Sequence, residues 1–388
     1  MWRARFYQVL DDVKQRVPSY EEVVLVHHDD ADGLSSAALT TRALEALGVR
    51  VHRICLEKLF LEVVEDLMKK WNALVFVDIA SAHVDFLEAK AREDQFIMIL
   101  DHHKPRGEPQ HVLDLNLERW GLSGDRDFSA STLCYLFYRE ITGDRSLSYL
   151  GLVGAEELPE KGIVVNDTLK DARDSGAVTE GKREELIAVP LNMPVKTVFS
   201  TLQVLGPVGY YKGGPELGVS LCLGERVEVA LKHAEEWRGA RKQANRRLIA
   251  ILWKGELKQG KRVQWFHDHG VFQGMGTKVI GTFSSYLSYQ RRLINPSKYI
   301  LGWMKMPQQI PGWGSLETAY SKFSTRIPVV MRKKVERGAL PGLMDILNVL
   351  STPVLVDGHQ AAASGLVREG EEVRLVQEFD EVADSMIR

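Results

Sequence analysis

Three short stretches of this chain crowd carboxylates and imidazoles together. They are His28-Asp29-Asp30-Ala31-Asp32-Gly33, Asp78 directly after Ala-Leu-Val-Phe-Val, and Asp101-His102-His103. Carboxylates this close repel one another, which makes a bound cation their natural counterpart. Mixed imidazole and carboxylate donors suit Mn²⁺ or Mg²⁺ and also accept Zn²⁺ or Co²⁺. At a strand end, residues i, i+2 and i+4 point the same way, so His28, Asp30 and Asp32 are expected to converge on one spot. The same six residues read equally as an acidic turn in which Asp32 caps a helix. Gly33 is expected to let the backbone turn tightly into that helix.

The flanking residues supply the elements that position these groups. Glu22 to His27 is a β-branched apolar run that reads as a buried strand. The residues after Gly33 have helical apolar spacing and a closing Gly48. Ala73 to Val77 and Phe96 to Leu100 read as further strands, with Asp78 and Asp101 at their carboxyl ends. Strands alternating with helices imply an α/β fold with a parallel sheet covered by helices. Ligands of such sheets bind beyond the carboxyl ends of the strands, where all three clusters fall.

The rest of the chain fits a second core. At 388 residues and 45% hydrophobic, the sequence is long enough for two. Residues 129–142 read as a helix behind a Ser cap, and 167–185 as a solvated helix or loop. Residues 226–255 read as one long basic helix connecting the domains. Residues 263–266 and 279–283 read as strands of a second β/α region. The expected division is 1–225, then the connecting helix 226–258, then 259–388. A formal net charge of −2 argues against a wholly basic nucleic-acid binder and leaves room for a local basic groove. Cys55, Cys134 and Cys222 form no CxxC pair and read as buried thiols in a reducing compartment. The amino-terminal stretch is charged, and no apolar run of about 18 residues occurs, so no membrane partner and a cytoplasmic location are expected.

The order of His28-Asp-Asp30-Ala-Asp32-Gly, the aspartate of Val-Phe-Val-Asp78, and Asp101-His102-His103-Lys resembles the DHH phosphoesterase family. The later Ser-Ala-Ser-Thr-Leu and Gly358-His359-Gln-Ala-Ala-Ala-Ser-Gly segments resemble further parts of its DHH–DHHA1 architecture. The resemblance runs from about residue 22 to about residue 366, and the basic connecting helix with Lys-Phe-Ser324-Thr-Arg326 tilts it toward the RecJ-like branch. It implies a parallel-sheet DHH domain joined by a long helix to a smaller α/β DHHA1-like domain, with the active site between them. It also implies two ions, Mn²⁺ or Mg²⁺. His28, Asp30 and Asp78 would hold one, and Asp32, Asp78 and His102 the other, with Asp78 bridging. His103 would lie by the scissile phosphate and Asp101 would orient a histidine. A water between the ions would lose its proton and attack phosphorus in line.

One motif departs from the family pattern. Where a fourth aspartate is usual, this chain offers Glu156 and Glu157, with Asp167 as a further candidate. Glu157 is taken as the replacement ligand. In the second half, Ser324, Arg326, Gly358 and His359 resemble the family's phosphate contacts, although Asp357 stands where a glycine is usual. Arg238, Lys242 and Arg246 share a helix face that could track a polynucleotide backbone. Trp265, Trp303 and Trp313 read as core, and His267 and His269 as structural. The expected activity is RecJ-like hydrolysis of single-stranded DNA or RNA or of short oligonucleotides, with a homodimer or a replication or repair protein as partner. Two alternatives stand beside it: a Cdc45-like scaffold with a weakened site, and a phosphodiesterase for cyclic dinucleotides or other small phosphodiesters.

Overall fold

The apolar, β-branched runs do form the buried strands of a parallel sheet. A computed structural model describes residues 2–387, with the side chain of residue 183 also left aside. The strands are β1 (Glu22–His28), β2 (Arg50–Leu56), β3 (Ala73–Val77), β4 (Phe96–Leu100) and β5 (Leu113–Asp114), in the order β2-β1-β3-β4-β5 with every pairing parallel. Every residue of β3 and β4 is buried, as expected of strands covered on both faces.

Helices α1 (Trp2–Arg16), α2 (Ala31–Ala46), α3 (Leu61–Lys70), α4 (Val84–Lys90), α5 (Ala130–Thr142), α6 (Ser148–Gly154), α7 (Ile163–Asp174), α8 (Val195–Gly209) and α9 (Gly214–Cys222) complete this half, with a small antiparallel sheet of β6 (Val178–Glu180), β7 (Leu186–Ala188) and β8 (Met193–Pro194). Helix α2 is almost wholly buried, and its residues Ser35, Ser36, Ala37, Ala38, Thr40 and Thr41 are small enough to let α5, α6 and α9 approach closely. Ser129 caps α5 in a reciprocal capping box with Thr132, as its sequence indicated.

The chain divides into two compact units between Glu235 and Glu236, with Pro311–Trp313 grouped with the first. The boundary falls inside α10 (Val227–Ile251), a helix whose last residues run on into a wider turn ending near Gly255, which has φ 100°. The second unit carries a mixed sheet of β9 (Lys258–Gln259), β10 (Val263–His267), β11 (Tyr299–Lys305), β14 (Tyr320–Arg326), β15 (Leu355–Gly358) and β16 (Ala362–Arg368) in the order β15-β16-β14-β11-β10-β9; β12 (Gln309–Ile310) and β13 (Gly314–Ser315) form a separate hairpin. Its helices are α11 (Lys278–Leu287), α12 (Val329–Glu336), α13 (Leu343–Leu347) and α14 (Glu372–Met386). Phe323, Tyr299, Leu375 and Phe379 lie in its core.

Residues 279–283 were expected to be a strand and are helical. Val279, Ile280, Phe283, Ser284 and Leu287 are the buried face of α11, an i, i+1, i+4, i+5, i+8 pattern that only a helix can bury on one side. Trp265 and Trp303 stack on each other at 5.4 Å, with Trp303 in the core of the second unit. No helix among the described residues is long and apolar enough to cross a membrane.

Candidate metal centre

Strand β1 ends at His28, and the chain enters α2 without a gap. Asp30 is the N-cap of that helix, its Oδ1 accepting from the Gly33 N–H at 3.0 Å. The cap is therefore Asp30 and not Asp32, which sits in the first helical turn. The strand period stops at His28, so His28 and Asp30 share one set of donors with Asp78, whereas Asp32 joins the neighbouring set with His102 and Glu157. Gly33 is helical, and its small size serves close approach, because a Cβ there would lie 2.5 Å from the His28 carbonyl oxygen.

The polar side chains sort into overlapping sets. His28, Asp30 and Asp78 bring donor atoms within 4.8 Å of one another, and so do Asp32, His102 and Glu157, and Asp78, His102 and His103. His28 Nδ1 lies 3.0 Å from Asp30 Oδ2 and 3.6 Å from Asp78 Oδ2. His102 Nε2 lies 3.5 Å from Asp78 Oδ1, 3.7 Å from Asp32 Oδ2 and 3.9 Å from Glu157 Oε1. His102 Nδ1 contacts the Gly124 carbonyl at 2.9 Å, and a carbonyl can only accept. That proton assignment leaves the Nε2 lone pair facing the carboxylates.

Asp32 is fixed from the other side. Its two oxygens accept from the Ala130 and Ser131 N–H groups at 2.9 and 2.8 Å, at the start of α5. Gly154, at the end of α6, lies so near that a Cβ would collide with Asp32 Oδ1 and Ser131 Oγ. Asp101 likewise works behind the front row. It accepts from the Ser81, His102 and His103 N–H groups, and its Oδ1 lies 2.7 Å from His103 Nδ1.

Electrostatics separate these carboxylates. Burial raises the Asp78 pKa well above the usual range, and Asp30, Asp32, Glu157 and Asp101 push it further. Burial acts on Asp101 in the same direction but is outweighed by the charge and hydrogen bond of His103, which hold it well below that range. On His103 partial desolvation acts to lower the pKa, yet Asp101 dominates and raises it to about 9. Asp78 also has φ 59°, an uncommon backbone state for a residue with a Cβ, right at the end of β3.

The donor set fits divalent cations. Asp78 Oδ1 is buried and accepts no hydrogen bond among the described residues, while the imidazoles of His28, His102 and His103 and the carboxylates of Asp30, Asp32 and Glu157 supply the surrounding ligand atoms. A cation offsets the repulsion that raises the Asp78 pKa. Of the three candidates for the fourth acidic position, Glu157 reaches the cluster and Glu156 joins none of these sets. Asp167 is engaged elsewhere, paired with Arg3 of α1.

The second-unit residues gather separately. Arg326 at the end of β14 pairs in register with Ala362, and Gly358 pairs with Ala363 of the same strand β16. Arg326 bonds to Ser285 Oγ at 2.7 Å, Ser324 Oγ at 2.8 Å and the Gly281 carbonyl at 3.2 Å, and it meets no carboxylate among the described residues. Burial, helped by the charge of Arg332, pulls its pKa down to about 10. Ser324 is fully buried and serves to hold that guanidinium. The His359 N–H closes the β15–β16 turn onto the Ala362 carbonyl at 2.8 Å, so only its exposed imidazole remains for a ligand.

Residues 22–155 match the DHH family, N-terminal domain. The uncharacterized protein MJ0831 of Methanocaldococcus jannaschii is 30% identical over 156 residues, which is 38% of this chain and 35% of that protein, so the match spans about a third of the relative's length. A crystal structure of exonuclease RecJ bound to manganese superposes with a TM-score of 0.64 at 14% identity, covering 98% of this chain and 94% of that one. The crystal structure of CDC45 from Entamoeba histolytica superposes with a TM-score of 0.51 at 7% identity, covering 98% and 99%. At these identities the structures establish the shared fold. Residues 22–155, with their motif residues assembled as described, match the N-terminal domain of the DHH family, and the chain as a whole has a RecJ-like fold.

Proposed function

We propose that the protein is a two-metal-ion phosphodiester hydrolase acting on single-stranded nucleic acid, DNA or RNA, or on short oligonucleotides. The observation that carries this reading is the division of Asp78: one oxygen faces His28, the other His102. His28, Asp30 and Asp78 would hold one ion, and Asp32, Asp78, His102 and Glu157 the other, with Mn²⁺ or Mg²⁺ the expected metals. When bound, the ions supply Lewis acidity, easing deprotonation of a water and neutralising charge on the phosphoryl oxygens.

The protein's own groups do the rest. Asp101 takes up the Nδ1 side of His103, leaving Nε2 to donate to the phosphate beside the metal centre. His103 is 54% exposed, as a substrate-facing group must be. Arg326, half-buried without a carboxylate partner among the described residues, and the exposed His359 imidazole bind a phosphate of the substrate in the second unit. On α10, Arg238, Lys242, Arg246 and Arg247 are exposed and make no ion pair with a carboxylate among the described residues. They suit the backbone of a longer strand.

A Cdc45-like scaffold with a weakened site is the second reading, favoured by the fold likeness and by a glutamate at the fourth acidic position. Glu157 at 3.9 Å from His102 speaks for an intact second site instead. The deciding experiment uses 5′- and 3′-labelled DNA and RNA oligonucleotides of several lengths, with Mn²⁺ and with chelator. Metal-dependent, chelator-abolished cleavage is expected. Full activity in chelator with no metal by mass spectrometry would refute the hydrolase, and two bound ions without turnover would favour the scaffold.

A further inference from the structure

The carboxyl end of α10 carries a feature that the metal centre does not use. Arg238, Lys242, Arg246, Ile249 and Trp253 succeed one another at spacings of four, four, three and four, so they lie along one stripe of the helix. The stripe ends in a surface cavity of ≈ 320 Å³ lined by Ile249, Trp253, Tyr289, Arg291, Arg292 and Leu293. Trp253 is 58% exposed and Tyr289 59%, and Tyr286 on the adjoining helix α11 is also exposed. Neither the Trp253 nor the Tyr289 ring makes a ring–ring contact among the described residues. Large aromatic side chains left in water beside a cavity mark a binding surface, because their apolar area would otherwise be buried.

The charge around these rings has one sign. Arg291 and Arg292 make no ion pair with a carboxylate among the described residues, whereas Lys70, Arg139, Arg262 and Arg374 elsewhere each have one. The Arg332 guanidinium sits 5.7 Å over the Tyr289 ring, and its Nε is buried without a hydrogen-bond partner. Thus the cations run from Arg238 along the helix to Trp253, then past Tyr289 to Arg332. Flat rings interleaved with uncompensated arginines match a ligand offering both π-faces and phosphates. A duplex keeps its bases stacked internally, so only an unpaired strand can present them to these rings.

We propose that Trp253 and Tyr289 form a base-stacking platform for single-stranded nucleic acid, with Arg291, Arg292 and Arg332 contacting the adjacent phosphates. This rests on the single-strand reading above and adds to it where, and by which chemistry, the strand is gripped away from the metals. Binding would then be sequence-tolerant, since every base has a π-face.

The test uses the full chain with Mn²⁺ and a fluorescent phosphorothioate oligothymidylate of about twelve nucleotides, within the range of single-strand sites. Its affinity is measured by anisotropy across salt concentrations. Trp253→Ala and Tyr289→Ala should each weaken binding by roughly fivefold to 150-fold, with the salt slope unchanged. Trp253→Phe and Tyr289→Phe should largely restore it. An oligomer with abasic sites should bind the wild type as weakly as the normal oligomer binds the double Ala variant, and should lose nothing further on that variant. Binding of the normal oligomer by the wild type, with undiminished affinity in the Ala variants, would overturn the platform and leave the single-strand reading standing. So would a loss of affinity that comes entirely with a shallower salt slope. No measurable affinity of the wild type for single strands would overturn both.

Discussion

Asp78 Oδ1 lies 3.5 Å from His102 Nε2, while the other oxygen of the same carboxylate lies 3.6 Å from His28 Nδ1. One side chain therefore joins two ligand sets. Asp78→Ala should empty both, whereas Glu157→Ala should cost at most one ion and Glu156→Ala neither. Metal stoichiometry by mass spectrometry after gel filtration reads this directly. Hydrolysis should fall by at least about 10³-fold in Asp78→Ala. Equal losses for Asp78→Ala and Glu156→Ala would contradict the bridging role.

The raised Asp78 pKa makes a statement about stability without metal. A carboxyl whose folded pKa lies above its unfolded value stabilises the fold fully below the unfolded value, and that contribution is lost as pH rises through the folded one. Metal-free protein should therefore lose Tm as pH climbs from 4 toward neutrality, and Mn²⁺ should restore it most at the higher pH. Asp78→Asn should raise the metal-free Tm at pH 7.5 by on the order of 5 °C and abolish the response to Mn²⁺. An unchanged metal-free Tm would remove the electrostatic argument.

His103 behaves in the opposite sense in the metal-free protein. With its pKa raised to about 9, its contribution to stability is present below its ordinary value and lost as pH rises through about 9. Asp101→Asn should bring the imidazole back toward its ordinary range, read by histidine NMR titration, and should lower kcat by roughly 10²-fold with bound metal retained. A titration that does not move would show that Asp101 leaves His103 alone.

Arg326 and His359 join none of the metal-ligand sets among the described residues, so their loss should separate binding from metal content. Arg326→Ala should raise KM or lower kcat by about tenfold or more, and His359→Ala by less, with full metal occupancy in both. Arg326→Lys should recover little, since the guanidinium bonds to Ser285, Ser324 and Gly281 in three directions. Metal loss in these variants, or unaltered kinetics, would rule out the assignment.

Polymer binding through α10 has a salt signature. Each phosphate contact on a single strand contributes about −0.7 to the log–log slope of affinity against salt. Arg238→Ala combined with Lys242→Ala should make that slope shallower by roughly 1.4. An unchanged slope with undiminished affinity would take the helix out of the binding surface.

Much of this protein was legible in its sequence for a simple reason. Short β-branched runs such as Ala73 to Val77 can be buried on both faces only as strands of a covered parallel sheet, so Asp78, Asp101 and His28 had to fall at the carboxyl edge. Local signals were equally direct at Ser129, whose capping box is written in adjacent residues. Side-chain direction was another matter. That Asp30 caps α2 while Asp32 turns toward Ala130 and Ser131 depends on a helix almost a hundred residues away in the chain. The choice of Glu157 over Glu156 and Asp167 rests on where α6 ends and on Arg3 of the first helix. Residues 279–283 read as strand because a five-residue apolar run carries no period; only the burial of Leu287 on the same face reveals the helix. The exposed pair Trp253 and Tyr289 had no signal in sequence, because an aromatic residue is written the same way whether the fold buries it or leaves it in water.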